Sequence, residues 1–541
     1  MIIDLEISEH VPSSQGSVCI VGAGAAGISL AHELARLGVN VTLLESGGLR
    51  HEPSTQALYD GEVSGLRHLG IHAGRFRVMG GSTTRWGGEI LELDAEDFEV
   101  RPWVPGSGWP FPKSELAAYY PRALALEGLS TAILDDASVW KNIAVPAPDF
   151  GENLEPFFSR FCSEPDFTRI FGERLSENPR ITVCLHANVT EIVLNWKRDA
   201  IKSVKCRTMA GRQFTFSADS FVLCLGGIES ARLLLQPLPD VDSAPWNSTG
   251  LVGKFFKDHV DATLMEVRPR SRRQLHQWFD NIYRGAFKYH PKIKLSAAQQ
   301  KRGECLAIGA KFMFHSKREE SRLEFCEAAR NLRRGVVGSS ELGRIVRQLP
   351  NADLLIKQAF RFKLQGRAFN PDEDGIFLRV HCEQEPESTS RIALTSDRDA
   401  VGMFRSQLDW RTSDLEIKTM RHFAKVVGEA FGRDFAEVKP FADLEQGGPE
   451  LLGRFDDAYH HMGATRMAGS PREGVVDPDL RLFGVRNGYV CSSSVFPSVG
   501  FSNPTHTIVA LAVRLAEHLV AEISAEADAV RISNGVEAER L

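Results

Sequence analysis

The feature that most constrains the fold is a glycine-rich turn between an apolar run and a helical pattern near the N-terminus. The run Ser17 to Val21, in "SVCIVG", is short and apolar, which suits a buried parallel strand. After the turn, "AGISLAHELARLG" has helical periodicity, and a second apolar run, "VNVTLLE", ends on Glu45. The turn itself has GxGxxG spacing, with its glycines at Gly22, Gly24 and Gly27. This order of elements predicts a Rossmann-like α/β domain.

The same stretch predicts a dinucleotide site. The glycines permit a tight turn and a close approach of the backbone, the helix N-terminus attracts a pyrophosphate, and Glu45 can accept both ribose hydroxyls. An acid at this position favours an unphosphorylated ribose, so NAD or FAD rather than NADP. The alternative is a tight turn with no ligand. A second glycine-rich run, Gly74 to Glu89, could cross another ring system, and Trp86 between glycines makes a plain surface loop the weaker alternative.

Composition bounds the class of protein. The 541 residues exceed what one core usually holds, and 43% hydrophobic with 25% charged residues is typical of a globular protein. A net charge of −6 gives no reason to expect nucleic acid as a partner. Nine cysteines show no CxxC pair and no metal-ligand spacing, which predicts buried reduced thiols and no metal site. No secretion signal or transmembrane run of about 18 apolar residues is found, so we expect a cytoplasmic protein.

Further motifs follow in order along most of the chain, and together they resemble the glucose–methanol–choline (GMC) family of FAD-dependent oxidoreductases. No motif is found between about Thr263 and Gly375. Besides the N-terminal fingerprint, the resemblance rests on "VMGGSTTRWGG", "GWPFPKSELAAYYPRA", "FVLCLGGIESARLLL", "LVGKFFKDH", "EQEPESTSRIALTSDRDAVG" and the block from Tyr459 to Ala512.

The resemblance implies two interleaved domains. A discontinuous FAD-binding domain would comprise residues 1–75, 185–262 and 455–525. An FAD-covering and substrate-binding domain, with an antiparallel sheet covered by helices, would comprise 76–184 and 263–454. Residues 526–541 would form a flexible tail.

The resemblance also implies where FAD lies. Val189 would lie by the adenine and Gly80 to Thr84 along the flavin. In some members a histidine in the "GGS" loop is bonded covalently to the flavin, whereas Arg85 stands here, so we expect non-covalent FAD. Arg85 would be either a structural cation or a guard near the flavin. Beyond the fingerprint residues, the implied cofactor contacts are Gly80, Gly81, Ser82, Thr84, Val189, Ser494 and Thr505.

Catalysis is expected from the C-terminal block. Spacing alone does not separate the two histidines of "AYHHMGATRM", but the resemblance assigns His460 as the base and leaves His461 packed or hydrogen-bonded. Oxidising an alcohol requires a base for the hydroxyl proton while a hydride leaves carbon, and neutral imidazole suits this. Asn503, in the "NP" motif, would hold the substrate oxygen.

Asn503 is also expected to cap an amphipathic helix, with Pro504 in the first turn. The helix N-terminus, with the amides of Thr505 and His506, would stabilise negative charge on the reduced flavin. For the His506 side chain we favour packing under the flavin over a role as a second base. The Asp258–His259 pair is interpreted as domain packing.

The function predicted is oxidation of a hydroxyl on a carbohydrate-like small molecule: a sugar, a glycoside or an aminoglycoside intermediate. "TTRWGGE" and "NPT" resemble the sugar-oxidising branch. The electron acceptor would be oxygen or a soluble or quinone acceptor. The alternatives are a lyase on the same fold and a subunit of a membrane-attached dehydrogenase complex. The basic segment 333–367 would form an amphipathic helix packed on the substrate domain, a docking surface or a lid.

Overall fold

A computed structural model of the chain describes residues 1–8, 16–129, 133–239, 243–318, 352–432 and 434–538. The strands in these ranges are β1 (Ile2–Asp4), β2 (Gly16–Val21), β3 (Val41–Leu44), β4 (Glu62–Gly65), β5 (Glu89–Ile90), β6 (Leu154–Phe161), β7 (Ile181–Leu185), β8 (Asn188–Leu194), β9 (Ile201–Arg207), β10 (Gln213–Phe216), β11 (Ala218–Leu223), β12 (Val260–Pro269), β13 (Ile282–Arg284), β14 (Phe287–Leu295), β15 (Ile308–His315), β16 (Gly375–Cys382), β17 (Arg391–Arg398), β18 (Phe404–Trp410), β19 (Ala436–Pro440), β20 (Asp456–Asp457) and β21 (Gly488–Val490). The α-helices are α1 (Ala25–Arg36), α2 (Pro53–Gln56), α3 (Ala95–Phe98), α4 (Lys113–Ala117), α5 (Tyr120–Leu126), α6 (Asp136–Asn142), α7 (Phe167–Glu177), α8 (Gly226–Leu235), α9 (Arg272–Phe279), α10 (Ala297–Gly303), α11 (Ala352–Phe360), α12 (Asp414–Phe431), α13 (Ala442–Gln446), α14 (Pro449–Leu452) and α15 (Thr505–Ala538).

Six strands form a parallel sheet in the order β1-β7-β3-β2-β11-β21. Val18, Cys19 and Ile20 of the inner strand β2 are completely buried, as expected for a strand covered on both faces. α1 joins β2 to β3 and packs against α15 from the C-terminal block. The predicted α/β unit is therefore confirmed, and its sheet is assembled from segments that lie far apart in sequence.

A larger antiparallel sheet follows the path β19-β12-β16-β15-β14-β6-β5, with β13 and β20 paired to β14 and β12. Apolar side chains cover one face, where Phe423 of α12 and Trp140 of α6 belong to the buried core. In β14 alternate residues point to the opposite face, which is polar and carries Lys288, His290, Lys292 and Lys294. This is the predicted antiparallel sheet covered by helices.

The sheets also adjust the expected domain boundaries. β7 starts at Ile181 and belongs to the parallel sheet, so the boundary at 185 falls at the end of a strand. The boundary at 262 falls inside β12, because Val260 already pairs in the antiparallel sheet. A third sheet pairs β18 with β4 across the two expected domains, and a fourth contains β8, β9 and β10.

Two further expectations concern segments near gaps in the described chain. The expected tail from 526 continues α15 as far as Ala538, and residues 539–541 lie outside the described ranges. Of the basic segment 333–367, residues 333–351 also lie outside them. In the described remainder Leu354 is buried, whereas Ile356 is 68% and Leu364 71% exposed, so the expected packing of its apolar side chains is found only in part.

The described ranges contain no helix long and apolar enough to cross a membrane. The eight cysteines in these ranges are all free and buried, as the scattered sequence pattern predicted. Burial, reinforced by neighbouring thiols, raises the pKa of Cys206 well above its usual range, so this thiol stays protonated and unreactive.

Candidate active site

A cavity of about 670 Å³ runs from the glycine-rich turn to the end of the polar sheet face. Gly24 and Gly226 line it, and an added Cβ at either position would meet no atom within 4 Å, so each would project a side chain into the cavity. Gly22 has φ +102° and lies against the Cys224 carbonyl, where a Cβ would approach to 2.6 Å. The turn therefore combines a left-handed backbone with an open, backbone-lined cradle, which fits a pyrophosphate.

Glu45 lines the same cavity at the end of β3. One carboxylate oxygen accepts a hydrogen bond from the Ala23 N–H at 2.9 Å and the other from the Gly47 N–H at 2.8 Å. Burial, only partly offset by these two bonds, raises the pKa of Glu45. The oxygen bonded to Gly47 also accepts from the Ser46 hydroxyl at 3.3 Å. The oxygen bonded to Ala23 keeps a lone pair for a ribose hydroxyl.

The second glycine-rich loop lies directly against the first. The Gly80 N–H donates to the Ala23 carbonyl at 2.9 Å, and a Cβ on Gly81 would lie 3.1 Å from the Gly24 Cα. Gly81 and Ser82 line the cavity, together with Arg85 and Trp86. Gly80 lies behind this surface, and the Thr84 hydroxyl donates back to the Gly81 carbonyl at 2.8 Å. Gly80 and Thr84 therefore shape the loop rather than line the cavity.

The other expected cofactor residues divide in the same way. Val189 and Thr505 line the cavity. Gly27 packs α1 onto the turn, since a Cβ there would lie 1.9 Å from the Gly22 carbonyl oxygen. Ser494 is completely buried behind Ser492, with its hydroxyl 2.6 Å from the Ser492 hydroxyl. Contacts of all these residues with FAD stay a prediction.

A buried charged cluster in the cavity wall was not predicted from the sequence. Arg75 and Arg77 place their guanidinium carbons 4.1 and 4.3 Å from the centre of the Tyr59 ring. They pair with the two carboxylate oxygens of Glu229 at 3.0 and 2.7 Å, and Arg232 lies 3.1 Å from the same group. Burial opposes ionisation of Glu229, but the three arginines outweigh it and lower its pKa to about 2. Glu229 lies in "GGIESARLLL", part of a motif noted in the sequence, and this segment was the available signal for the cluster.

At the other end of the cavity lie the two predicted catalytic residues. The His460 Nε2 is 3.2 Å from the Asn503 amide nitrogen. On the far side of the ring, His460 Nδ1 is 2.9 Å from His259 Nδ1, and His259 Nε2 is 3.0 Å from the Gly500 carbonyl oxygen. His259 thus contacts the predicted base directly. The interpretation of the Asp258–His259 pair as domain packing did not include this contact, which arises because β12 begins beside the C-terminal block.

Asp258 holds this arrangement through one carboxylate oxygen. Its Oδ1 accepts hydrogen bonds from the backbone N–H groups of His259, Ala458 and His460 at 2.7, 3.2 and 3.0 Å. Its Oδ2 is 3.1 Å from His68 Nε2. The two backbone segments that carry His259 and His460 are therefore fixed to one completely buried carboxylate.

Histidine charge at this end is suppressed. Burial, followed by the neighbouring His381, lowers the pKa of His460 to about 3. Burial and the same neighbour lower the pKa of His259 well below its usual range. Both rings are therefore neutral near pH 7, and a neutral imidazole can accept a proton.

The other histidines of the C-terminal block are placed differently. His461 also lines the cavity, but it is buried with its ring 5.4 Å from that of His68. His506 Nδ1 bonds Glu127 at 2.7 Å and its ring stacks on Tyr120, so its side chain does not line the cavity. The geometry gives neither side chain a role as the base.

Two clusters of side chains that could bind a metal ion are present, although the sequence predicted no metal site. The donor atoms of His259, His381 and His460 lie within 4.8 Å of one another, and so do those of His68, Asp258 and His461. The hydrogen bonds described above engage most of these atoms within the protein. In both clusters the side chains come from segments far apart in sequence. Sequence spacing therefore does not reveal that they lie close enough to resemble a set of metal ligands.

Fold and site together define an FAD-dependent enzyme with a Rossmann-type cofactor domain. Residues 17–245 match the family model described as FAD dependent oxidoreductase, and residues 386–512 match that described as GMC oxidoreductase. The chain is a GMC oxidoreductase that acts on alcohol- or sugar-type substrates at a CH–OH group. The cofactor implied, FAD, fits the cradle at Gly24 and Gly226.

Similar proteins support this assignment. The chain is 23% identical to 2-methyl-1,2-propanediol dehydrogenase of Mycolicibacterium austroafricanum, over 94% of this chain and 95% of that protein. It is 34% identical to C-glycoside 3-oxidase of Microbacterium trichothecenolyticum over 28% of each chain. The solved structure of formate oxidase shares the fold, with a TM-score of 0.56, 17% identity and coverage of 95% and 99%.

Proposed function

We propose that this enzyme oxidises a hydroxyl group of a carbohydrate-like substrate to the carbonyl, with His460 as the base. The observation that carries the proposal is the pairing of His460 Nε2 with the Asn503 amide nitrogen at 3.2 Å, at the end of the cavity. A hydroxyl oxygen within hydrogen-bonding reach of both atoms could give its proton to His460 while Asn503 donates to it.

The hydrogen bonds behind His460 specify which of its nitrogens carries the proton. His259 Nε2 faces the Gly500 carbonyl oxygen, which only accepts, so this nitrogen is the donor. Neutral His259 then has a lone pair on Nδ1, and His460 must donate to it from its own Nδ1. The remaining lone pair of His460 is therefore on Nε2, beside Asn503. This chain of three groups prepares His460 to accept a proton at Nε2.

FAD, when bound, supplies the acceptor for the hydride that leaves the carbinol carbon. The first turn of α15 lies at the same end of the cavity, with Pro504 and Thr505 in the wall. The first backbone N–H groups of a helix have no partner within the helix, so this turn can stabilise negative charge nearby. Asn503 comes just before this turn and faces His460. The groups that would hold the substrate oxygen therefore lie beside the turn that would stabilise the flavin after it accepts the hydride.

Support for a sugar-type substrate comes from two sources. The "TTRWGGE" and "NPT" segments resemble the sugar-oxidising branch, and a relative named C-glycoside 3-oxidase aligns at 34% identity over part of the chain. The polar sheet face beside His460 also offers hydrogen-bonding groups instead of an apolar wall. The electron acceptor is proposed to be oxygen or a soluble or quinone acceptor.

The test is an anaerobic absorbance scan of the purified FAD-loaded protein against sugars, glycosides, aminoglycosides and simple alcohols. We expect one sugar-type group to bleach the oxidised-flavin bands, and His460→Ala to slow that reduction by about three orders of magnitude, within the range for a lost general base. His518→Ala, on the same helix as Thr505 but paired with Glu522 outside the cavity, is the control. Bleaching at an unchanged rate in His460→Ala would remove His460 from the role.

A further inference from the structure

Three cations lie side by side on the polar face of the antiparallel sheet. Lys311 in β15 pairs directly with Arg379 in β16. On its other side Ile293 pairs with Ala310, so the antiparallel register places Lys292 of β14 opposite Lys311. Side chains directly opposite one another share a face of the sheet, with Cβ atoms about 5 Å apart. Lys292, Lys311 and Arg379 therefore form a continuous row across three strands, which we call the cationic row.

The cationic row borders the catalytic end of the cavity. Lys292 Nζ is 2.6 Å from the carboxylate of Glu89, and Glu89 lines the cavity together with His460. His381 follows Arg379 by two residues in β16, so it lies on the same face of the sheet. Its ring is 5.2 Å from the His460 ring. A substrate whose hydroxyl meets His460 would thus have its neighbouring substituents near this row.

Three acids neutralise the outer members of the row. Burial opposes ionisation of Glu89, but Lys292 and His290 outweigh it and hold its pKa well below its usual range. Arg379 pairs with Asp261 at 3.1 Å and with Asp456 at 3.0 Å. Both outer cations therefore have carboxylate partners of their own.

Lys311 in the middle has no hydrogen bond or ion pair with any described residue. Burial, followed by the adjacent ammonium of Lys292, lowers its pKa. Nearby, the buried Nε2 of His381 also has no hydrogen-bond partner within the described ranges. The carboxylates of Asp261 and Glu89 offset the lowered pKa of Lys311 only in part, because each is in direct contact with another cation of the row. A partly buried ammonium with no carboxylate in direct contact is unfavourable, and a bound anion would relieve this.

We propose that the substrate carries an anionic group, a carboxylate or a phosphate, that binds Lys311 while the hydroxyl to be oxidised meets His460. This inference rests on the proposed function and narrows it to acidic sugar derivatives. It disfavours a cationic aminoglycoside, whose ammonium groups would be repelled by the cationic row. His381 Nε2, which has no partner within the described ranges, would complete the hydrogen bonds of the same group.

The first arm of the test measures binding without turnover. Acetate, inorganic phosphate, acetamide and methylammonium are titrated into the oxidised FAD-loaded enzyme at constant ionic strength, and the change in flavin absorbance is followed. We expect at least one of the two anions to bind at least tenfold more tightly than acetamide or methylammonium. Lys311→Met should remove this preference and Lys311→Arg should retain most of it. Lys197→Met, at an exposed turn, is the control.

The second arm measures reduction of the flavin by matched sugars under anaerobic conditions: glucose, glucuronate, glucose 6-phosphate and glucosamine. We expect an acidic member to reduce the flavin with a KM at least tenfold below that of glucose, and its identity separates carboxylate from phosphate. Anion binding that depends on Lys311 without reduction by any sugar would uphold the anion site and count against the proposed function. Equal binding of anions and neutral probes, or an anion preference that survives in Lys311→Met, would overturn the inference.

Discussion

The Nδ1 atoms of His259 and His460 lie 2.9 Å apart, although the two residues are separated by 201 positions in sequence. Two neutral imidazoles at this distance share a single proton, and the Gly500 carbonyl determines which ring supplies it. The orientation of the base is therefore set by a residue that the substrate does not touch.

His259→Ala should leave the protein folded and yellow but slow flavin reduction by about 10- to 100-fold, because His460 loses the acceptor that selects its tautomer. His259→Asn should recover part of the rate, since the amide oxygen can accept from His460. Stopped-flow reduction across a pH series checks both variants. A purely structural role for His259 would lower thermal stability while leaving the shape of the pH profile unchanged.

The rate of flavin reduction should not fall around pH 6.5, as it would if the base were a histidine with its usual pKa. The pKa of His460 is lowered to about 3 by burial and by His381, with His259, Asp261, Glu89 and Lys292 around it. The base therefore stays neutral as the pH falls from 7.5 to 5, and the reduction rate should change less than about twofold. A rate that falls with a midpoint near 6.5 would contradict this.

Stability should nevertheless decline over the same acid range. Burial lowers the pKa values of His460 and His290 to about 3, in the second case reinforced by Lys292. Below pH 6.5 the unfolded chain binds protons at these histidines that the folded chain does not, so the free energy of unfolding falls from pH 6.5 towards pH 3. Thermal melts should shift downward across this window, and His290→Gln should reduce the slope. An unchanged slope in this variant would remove His290 from the effect.

Asp258→Ala should destabilise the fold by several kcal/mol, because one buried and two partly buried N–H groups lose their common acceptor at about 1–3 kcal/mol each. Asp258→Asn keeps an acceptor oxygen and should retain more stability. Chemical unfolding measures the difference, and an Ala variant as stable as the Asn variant would argue against this role. Reduction by substrate should slow in both variants, since the backbone of His460 loses its anchor.

Gly24→Val should weaken FAD binding by at least tenfold, because the added side chain would occupy the open cradle. Fluorescence titration of the cofactor-free protein with FAD gives the dissociation constant. Gly172→Ala is a matched control, since its Cβ would also meet no atom within 4 Å but the residue does not line the cavity. Equal FAD affinity in Gly24→Val and the parent protein would place the pyrophosphate elsewhere.

The parts of the fold predicted from sequence are those determined by local patterns. The glycine spacing around Gly22 and the apolar runs beside it fix a βαβ unit within about 30 residues. The alternation of "FKYHPKIKL" is a local signal of the same kind that was not used for the prediction, although cations at every second position mark one face of a strand.

Other features depend on which distant segments meet. The contact of His259 with His460, and the position of Lys311 between Lys292 and Arg379, follow from strand pairing that no short sequence window contains. The contact of His259 with His460 and the cationic row were both missed for this reason.

The parallel sheet takes its inner strands β2 and β3 from the first 50 residues and one of its two edge strands, β21, from residues 488–490. During synthesis at the ribosome, the glycine-rich turn therefore emerges long before Asn503 and α15, which close the other end of the cavity. A growing chain can form the βαβ unit early, but the histidine and asparagine of the site meet only after nearly all of the protein has been made. Contacts of such long sequence separation fold slowly, so the enzyme should gain activity late and as a whole.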